Sequence, residues 1–365
     1  MIKKLQQHLT KRRKKQFFLL LILMITVSIM EVVSIAAVVP FLAALTSPEQ
    51  IYQHQLAQPL IQILEITSPN QLLLPLTTVF IMATLIASIM RLLLLYISTR
   101  LSFAVGSDLS VNIYRRTLYQ DYSVHTLRNS SEIINGIIVK TNTVIGDILV
   151  PLLNFISSVV IMIGIISIVF TINAQVALIT FSFFTLLYWI IVFFTKKSLE
   201  KNSQLIADQS TKMVKSLQEG LGGIRDVIID GTQEFYCKLY KSADLSLRRA
   251  SRNNVVIGSS PRYLMEATGM ILIAIMAYTL TLQEGGVVGA IPILGALAIG
   301  AQKLLPALQQ AYSSYSLIKG SKSSFIDVLN LLEQPLSYSV GQDLINPISF
   351  KQKIVFKNLS FRYTK

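Results

Sequence analysis

The chain has 365 residues, of which 52% are hydrophobic and only 14% are charged, and its mean hydropathy is +0.56. This composition excludes an ordinary soluble domain and is typical of a membrane protein. The net charge of +14 does not indicate nucleic acid, because the Lys and Arg residues flank apolar stretches. A single cysteine excludes an internal disulfide framework, and three widely separated histidines do not indicate a metal site.

Six apolar stretches are long enough for transmembrane helices, which need about 20 residues each. They cover residues 17–45, 72–97, 146–170, 174–195, 264–282 and 287–310. The basic residues at 11–15 precede a run that is too long for the apolar region of a signal peptide, which has about 7 to 15 residues. The first stretch is therefore predicted to be a retained membrane helix.

The positions of Lys and Arg predict the orientation in the membrane. The segment 46–71 and the two short turns after the third and fifth stretches contain neither residue. The N-terminal segment 1–16, the loops 98–145 and 196–262, and the C-terminal tail contain nearly all of them. Both termini and both long loops are therefore predicted to be cytoplasmic, at a plasma or bacterial inner membrane. Mixed three- and four-residue spacing of apolar residues predicts that these loops continue the helices.

The chain ends on IVFKNLSFRYTK at 354–365, in which apolar and polar residues alternate with one slip at Lys357–Asn358. This period of two, with room for a bulge, predicts a β-strand. A lone strand has no sheet to join. We therefore expect it either to pair with another chain or to begin a domain that the sequence does not complete.

Six spans, two long helical loops and a terminal I-x-F-x-N-L-S-F-R-Y segment resemble an ABC exporter half-transporter. The resemblance implies an all-α membrane domain of six transmembrane helices with two long cytoplasmic helical hairpins over residues 17–330. It also implies a linker at 331–352 and, at 353–365, the first strand of a truncated α/β nucleotide-binding domain. A natural truncation, a frameshift or a partial gene would each explain such an ending.

The same resemblance implies the cofactors and where they bind. The sequence contains no G-x-x-x-x-G-K-[ST] loop, so the chain is not expected to hydrolyse ATP alone or to carry a cofactor by itself. ATP and Mg are expected in the complete transporter, where Tyr363 would stack on adenine.

The partners that the resemblance implies are a second copy of the chain, giving a homodimer, and ABC nucleotide-binding domains. Those domains would dock on two coupling helices, within 114–137 and 219–236. The implied contact residues are Tyr122, Ser123, Val124 and His125 in the first segment, and Gly223, Ile224, Arg225, Asp226 and Val227 in the second.

Three short segments are similar to the branch of this family that flips lipid-linked oligosaccharides: 34–45 (SIAAVVPFLAAL), 89–96 (IMRLLLLY) and 259–270 (SSPRYLMEATGM). That branch also has a helix in its first external loop, and residues 47–66 are weakly amphipathic here. The similarity implies an amphipathic or lipid-linked substrate that crosses the membrane lipid by alternating access. Two alternatives stay open: an exporter of peptides, drugs or simple lipids, and a receptor or scaffold without transport.

Charged residues inside the spans are candidates for function, because each costs about 2.5–3.5 kcal/mol at a helix centre. Arg91, Arg262 and Lys303 are predicted to form a basic inner cavity that attracts a pyrophosphate group. The alternative is that they extend to the cytoplasmic interface, or that Arg262 only pairs with Glu266 one turn away. Glu31 is predicted either to pair with Arg91 or to contact the substrate. No catalytic or metal-binding constellation competes with this interpretation.

Overall fold

A computed structural model describes residues 2–46, 48–53, 58–63, 66–172, 174–281, 286–334 and 353–360. These ranges contain helices and no strand, so the predicted all-α fold is confirmed for them. In chain order the α-helices are α1 (Ile2–His8), α2 (Lys11–Thr46), α3 (Pro48–Gln53), α4 (Gln58–Ile63), α5 (Leu73–Leu118), α6 (Tyr122–Leu127), α7 (Ser130–Asn135), α8 (Thr141–Val144), α9 (Val150–Ile172), α10 (Ala174–Gly222), α11 (Ile224–Ile229), α12 (Gln233–Thr281), α13 (Gly286–Gly320) and α14 (Lys322–Leu332).

Four helical segments of the described chain are long and apolar enough to cross a membrane: Lys11–Val38, Leu73–Leu118, Ser130–Ser167 and Phe181–Gly222. Each overlaps one of the first four predicted spans, with different bounds. The fifth and sixth predicted spans fall on α12 and α13, and residues 282–285 between them lie outside the described residues. The count of six spans therefore stays a prediction.

The long helices extend far beyond the apolar spans. α5 has 46 residues, and α10 and α12 have 49 each. At 1.5 Å per residue each is about 70 Å long, more than twice the hydrocarbon thickness of about 30 Å. The helical continuation that the spacing of the long loops predicted is therefore present.

Two ion pairs fix the antiparallel register of α2 and α5. Arg13 Nε lies 2.7 Å from Asp108 Oδ2, and Arg91 Nη1 lies 3.6 Å from Glu31 Oε1. The two pairs are 18 residues apart along α2, which is about 27 Å at the helical rise. Arg91 therefore lies at the same level as Glu31 along the paired helices.

The largest buried cluster joins helices from both ends of the chain. Leu5 of α1, Leu20 of α2, Val105 of α5 and Val328 of α14 all belong to it. Apolar residues recur along α14 at three- and four-residue spacing, and those at 325, 328, 329 and 332 are buried. The predicted domain end at 330 falls inside this helix, which continues to Leu332.

Polar contacts hold α14 and the turn before it in place. Lys140 Nζ lies 2.6 Å from Asp327 Oδ2, with the lysine side chain 7% exposed and the aspartate 39% exposed. Ser321 Oγ donates to Asp147 Oδ2 at 2.9 Å, just before α14 begins. Lys140 lies at the end of a π-helical turn, Gly136–Lys140, and Asp147 lies in a second π-helical turn, Ile145–Leu149.

Two other predicted elements differ in the structure. The loop 47–66 contains two short helices, α3 and α4, and buried Ile61, Ile66 and Leu72 pack this segment against the start of α5. Residues 353–360 form no strand, and their side chains are exposed. A strand needs a neighbour for its hydrogen bonds, and the start of a nucleotide-binding domain is therefore not confirmed. Asn358, at the predicted slip, has a φ of 51°, a left-handed conformation that asparagine tolerates.

Candidate functional site

A cavity of about 740 Å³ lies among α9, α10, α12 and α13. Eleven of its sixteen lining residues have polar side chains, although most of the surface that the lining exposes is apolar. The lining consists of Pro151, Asn154, Tyr188, Ser259, Arg262, Tyr263, Met265, Glu266, Gln302, Leu305, Pro306, Gln309, Gln310, Ser313, Ser314 and Leu317. We call this space the inner cavity.

Helical spacing brings these polar groups together. Gln302, Gln309 and Ser313 recur at intervals of seven and four residues along α13, which places them on one face. Ser259 and Arg262 are three residues apart on α12 and also lie on one face of their helix. The charged residues of the spans do not point to these glutamines and serines, which were not among the predicted site residues. Their periodic recurrence at the end of the sixth span is the signal that could have found them.

Arg262 and Glu266 line the inner cavity as an ion pair. Arg262 Nε donates to Glu266 Oε1 at 2.8 Å, and both side chains are exposed. The spacing of four residues on α12 puts them one turn apart. This pairing is one of the alternatives that the sequence offers for Arg262. The pair has no net charge, and the terminal guanidinium nitrogens have no hydrogen-bond partner among the described residues.

Two buried polar atoms in the lining have no hydrogen-bond partner in the described part of the chain: Tyr188 Oη and Gln309 Oε1. The amide nitrogen of Gln309 donates to the carbonyl oxygen of Gly258 at 3.2 Å, which fixes the side chain and leaves its oxygen unpaired. An unpaired buried polar group costs about 1–3 kcal/mol. Both atoms have almost no solvent-accessible surface, so a ligand or water in the inner cavity would supply the missing hydrogen bonds only after neighbouring side chains shift.

The predicted basic cavity of three cations is not assembled among the described side chains. Arg91 does not line the inner cavity and lies against Glu31, whose side chain is only 5% exposed while that of Arg91 is 52% exposed. Lys303 follows Gln302 on α13, but its side chain lies outside the described residues. The structure thus shows the Glu31–Arg91 pair that was one of the two predictions for Glu31.

The predicted contact residues occupy two short helices that connect the long ones. Tyr122, Ser123, Val124 and His125 lie in α6, between α5 and α7. Gly223 precedes α11, and Ile224, Arg225, Asp226 and Val227 lie in it, between α10 and α12. We call α6 and α11 the tip helices.

The tip helices have exposed apolar side chains, which suits a docking surface. Tyr122 is exposed on α6, and Ile224, Ile228 and Ile229 are exposed on α11. After α11, Gly231 has a φ of 63°, a left-handed conformation that lets the chain turn sharply into α12. Tyr363, the predicted adenine contact, lies outside the described residues.

A protein-family model described as the ABC transporter transmembrane region matches residues 18–287. The match covers about three quarters of the chain and runs from α2 to the first residues of α13.

Proposed function

Because the chain belongs to the family of ABC transporter transmembrane regions, we propose that it is the permease part of an ATP-driven exporter for an amphipathic, lipid-linked substrate. A lipid-linked oligosaccharide is the leading candidate. The observation that carries the choice of substrate is the inner cavity, with its amide and hydroxyl lining and its two unpaired polar atoms.

The chemistry of the lining matches a sugar head group. Sugar hydroxyls both donate and accept hydrogen bonds, and so do Gln, Ser and Tyr side chains. Gln309 Oε1 would accept from a hydroxyl, and Tyr188 Oη would donate or accept. The free guanidinium nitrogens of Arg262 would contact a phosphate linkage, since Arg binds phosphate through two parallel hydrogen bonds.

α10 connects the inner cavity to the tip helix α11 without a break. α10 runs from Tyr188 in the cavity lining to Gly222 beside α11, a distance of about 51 Å at the helical rise. We propose that ATPase domains dock on the tip helices of a dimer. ATP binding there would supply the free energy that draws the domains together, and the helices would carry that movement to the cavity walls.

Binding to the chain itself tests the substrate. Trp189 is the single tryptophan of the sequence and follows Tyr188 of the lining, so its fluorescence should change when a head group enters. We expect a lipid-linked oligosaccharide to change it saturably, and the same lipid phosphate without sugars to bind more weakly.

Gln309→Leu should weaken that binding about tenfold, because it removes one buried hydrogen bond worth about 1.4 kcal/mol. The control is Gln204→Leu, on the exposed side of α10 and outside the cavity lining. Equal affinity for the lipid with and without sugars would reject the oligosaccharide as substrate, and equal effects of both variants would reject the cavity as the site.

Transport requires the motor domain, so the second test uses the chain joined to its ATPase domain in vesicles. Arg262→Ala should slow transport of the lipid-linked substrate, whereas Ile228→Asp, at an exposed position of α11, should uncouple ATP hydrolysis from transport. If Ile228→Asp leaves transport unchanged, the docking role of α11 is wrong, whatever the substrate is.

A further inference from the structure

The outer face of α2 carries a continuous line of basic and then apolar side chains. Lys11, Lys14 and Lys15 are exposed at its start. Phe18, Ile22, Ile25 and Ile29 continue the line, and all four are exposed. The intervals of three and four residues place these side chains on one side of the helix. We call this line the outer stripe.

The opposite face of α2 is fixed against the rest of the protein. Arg13 pairs with Asp108 of α5, and Leu20, Met24 and Val27 are buried. This packing sets the rotation of α2 about its axis, so the outer stripe faces away from α5. No ion pair with Lys11, Lys14 or Lys15 occurs among the described residues.

The outer stripe ends in an apolar groove of about 440 Å³ between α2 and α9, lined in part by Ile25, Ile29 and Gly164. A side chain at position 164 would meet Val32 Cγ2 at 2.5 Å, so glycine permits the close approach of the two helices. Ser28 Oγ donates to the carbonyl oxygen of Val160 at 3.0 Å. With that hydroxyl satisfied, the groove suits a hydrocarbon chain.

We propose that the outer stripe binds an anionic phospholipid of the leaflet on the side of the chain's N-terminus. The phosphate lies among Lys11, Lys14 and Lys15, and one acyl chain follows the apolar part of the stripe into the groove. Ten residues separate Lys15 from Ile25, which is about 15 Å along the helix. This is half the hydrocarbon thickness of about 30 Å, so an acyl chain reaches the groove from a head group at the interface.

Charge complementarity selects an anionic lipid over a zwitterionic one. Basic residues next to a membrane span each strengthen binding to an anionic surface by about fivefold, so three lysines together give about 100-fold. The effect weakens as salt rises, because salt screens exposed charges. This proposal is independent of transport and of the inner cavity.

The experiment measures lipid retained by the purified 365-residue chain in native mass spectrometry, after titration with phosphatidylglycerol or phosphatidylcholine. The triple change Lys11→Gln, Lys14→Gln, Lys15→Gln should weaken phosphatidylglycerol binding about 100-fold. The matched control changes three exposed lysines of α10 and α12 to glutamine: Lys212, Lys238 and Lys241. It should bind as the unchanged chain does.

An equal loss of phosphatidylglycerol binding in the two triple variants would show a general charge effect and overturn the site. No loss of binding in either variant would also overturn it. A second variant, Ile25→Trp, fills the groove. It should weaken retention of long-chain phosphatidylglycerol more than retention of the six-carbon form, and an equal effect on both overturns the acyl-chain part. A disulfide-linked dimer of a Phe18→Cys variant in which the exposed Cys237 is replaced by serine would show that a second copy covers the stripe, and would also overturn the proposal.

Discussion

The ion pair between Lys140 and Asp327 should contribute measurably to stability, and Asp327→Ala tests this. Removing one partner of a fully buried pair costs about 3–5 kcal/mol, because a charge stays buried and uncompensated. An exposed pair contributes about 0.2–1 kcal/mol. Lys140 is 7% exposed but Asp327 is 39% exposed, so solvent screens part of the interaction. We expect a loss of about 1.5–3 kcal/mol from the free energy of unfolding.

The matched control is Asp244→Ala, which breaks the Arg248–Asp244 pair. Its Nε–Oδ2 distance of 2.7 Å is nearly the same, but the arginine is 72% exposed. Its loss should stay below about 1 kcal/mol. The assay is equilibrium unfolding of the detergent-solubilised chain, followed through its helical circular dichroism. Equal losses in the two variants would refute the argument that burial of the ammonium sets the magnitude.

A double variant separates the pair from its surroundings. Replacing both partners by apolar residues of similar size, Lys140→Met with Asp327→Leu, removes the buried charge together with its counterion. Such replacements of buried pairs are often neutral or stabilising. The double variant should therefore be more stable than Asp327→Ala alone, and a lower stability would contradict the electrostatic explanation.

Two further predictions concern packing and pH. Gly106→Ala should destabilise the chain by about 1–3 kcal/mol, because a Cβ there would overlap the buried side chain of Ile145. The control in the same unfolding assay is Gly146→Ala, because a Cβ at position 146 would have no neighbour within 4 Å. Burial and, secondarily, the charge of Arg116 lower the pKa of His8 from its ordinary value of 6.5. Below about pH 6.5 the undocked segment therefore binds more protons than the docked one, and docking of α1 should weaken as the pH falls. Hydrogen exchange of the α1 amides at pH 7.5 and pH 5.5 measures this, and an unchanged pH dependence in His8→Gln would contradict it.

The sequence predicted the long helices because their signal is local. Apolar spacing in the loops 98–145 and 196–262 reports a helix whatever packs beside it. The Glu31–Arg91 pair was predictable as an alternative because a buried carboxylate in a span needs a cation. That the two residues do lie level with each other was not predictable, since it depends on the register that the Arg13–Asp108 pair helps to set between α2 and α5.

Other features depended on contacts between distant parts of the chain. The inner cavity brings α9, α10, α12 and α13 together, and no single stretch of sequence shows that Tyr188 lies near Gln309. α14 crosses the predicted boundary at 330 between the membrane domain and the linker, and its buried positions recur at helical spacing. Its packing partners include residues from distant parts of the chain, such as Ser203 of α10 and Lys140, and no local pattern reveals these contacts.

The two π-helical turns, Gly136–Lys140 and Ile145–Leu149, change how this region responds to insertions and deletions. Such a turn accommodates one residue more than an α-helical turn over the same rise. A relative that lacks a single residue within either turn would become regularly α-helical there and keep the same faces toward α5 and α14. The same deletion in the middle of α5 would rotate every following side chain by about 100°. Natural length variation within these helices should therefore concentrate at residues 136–149.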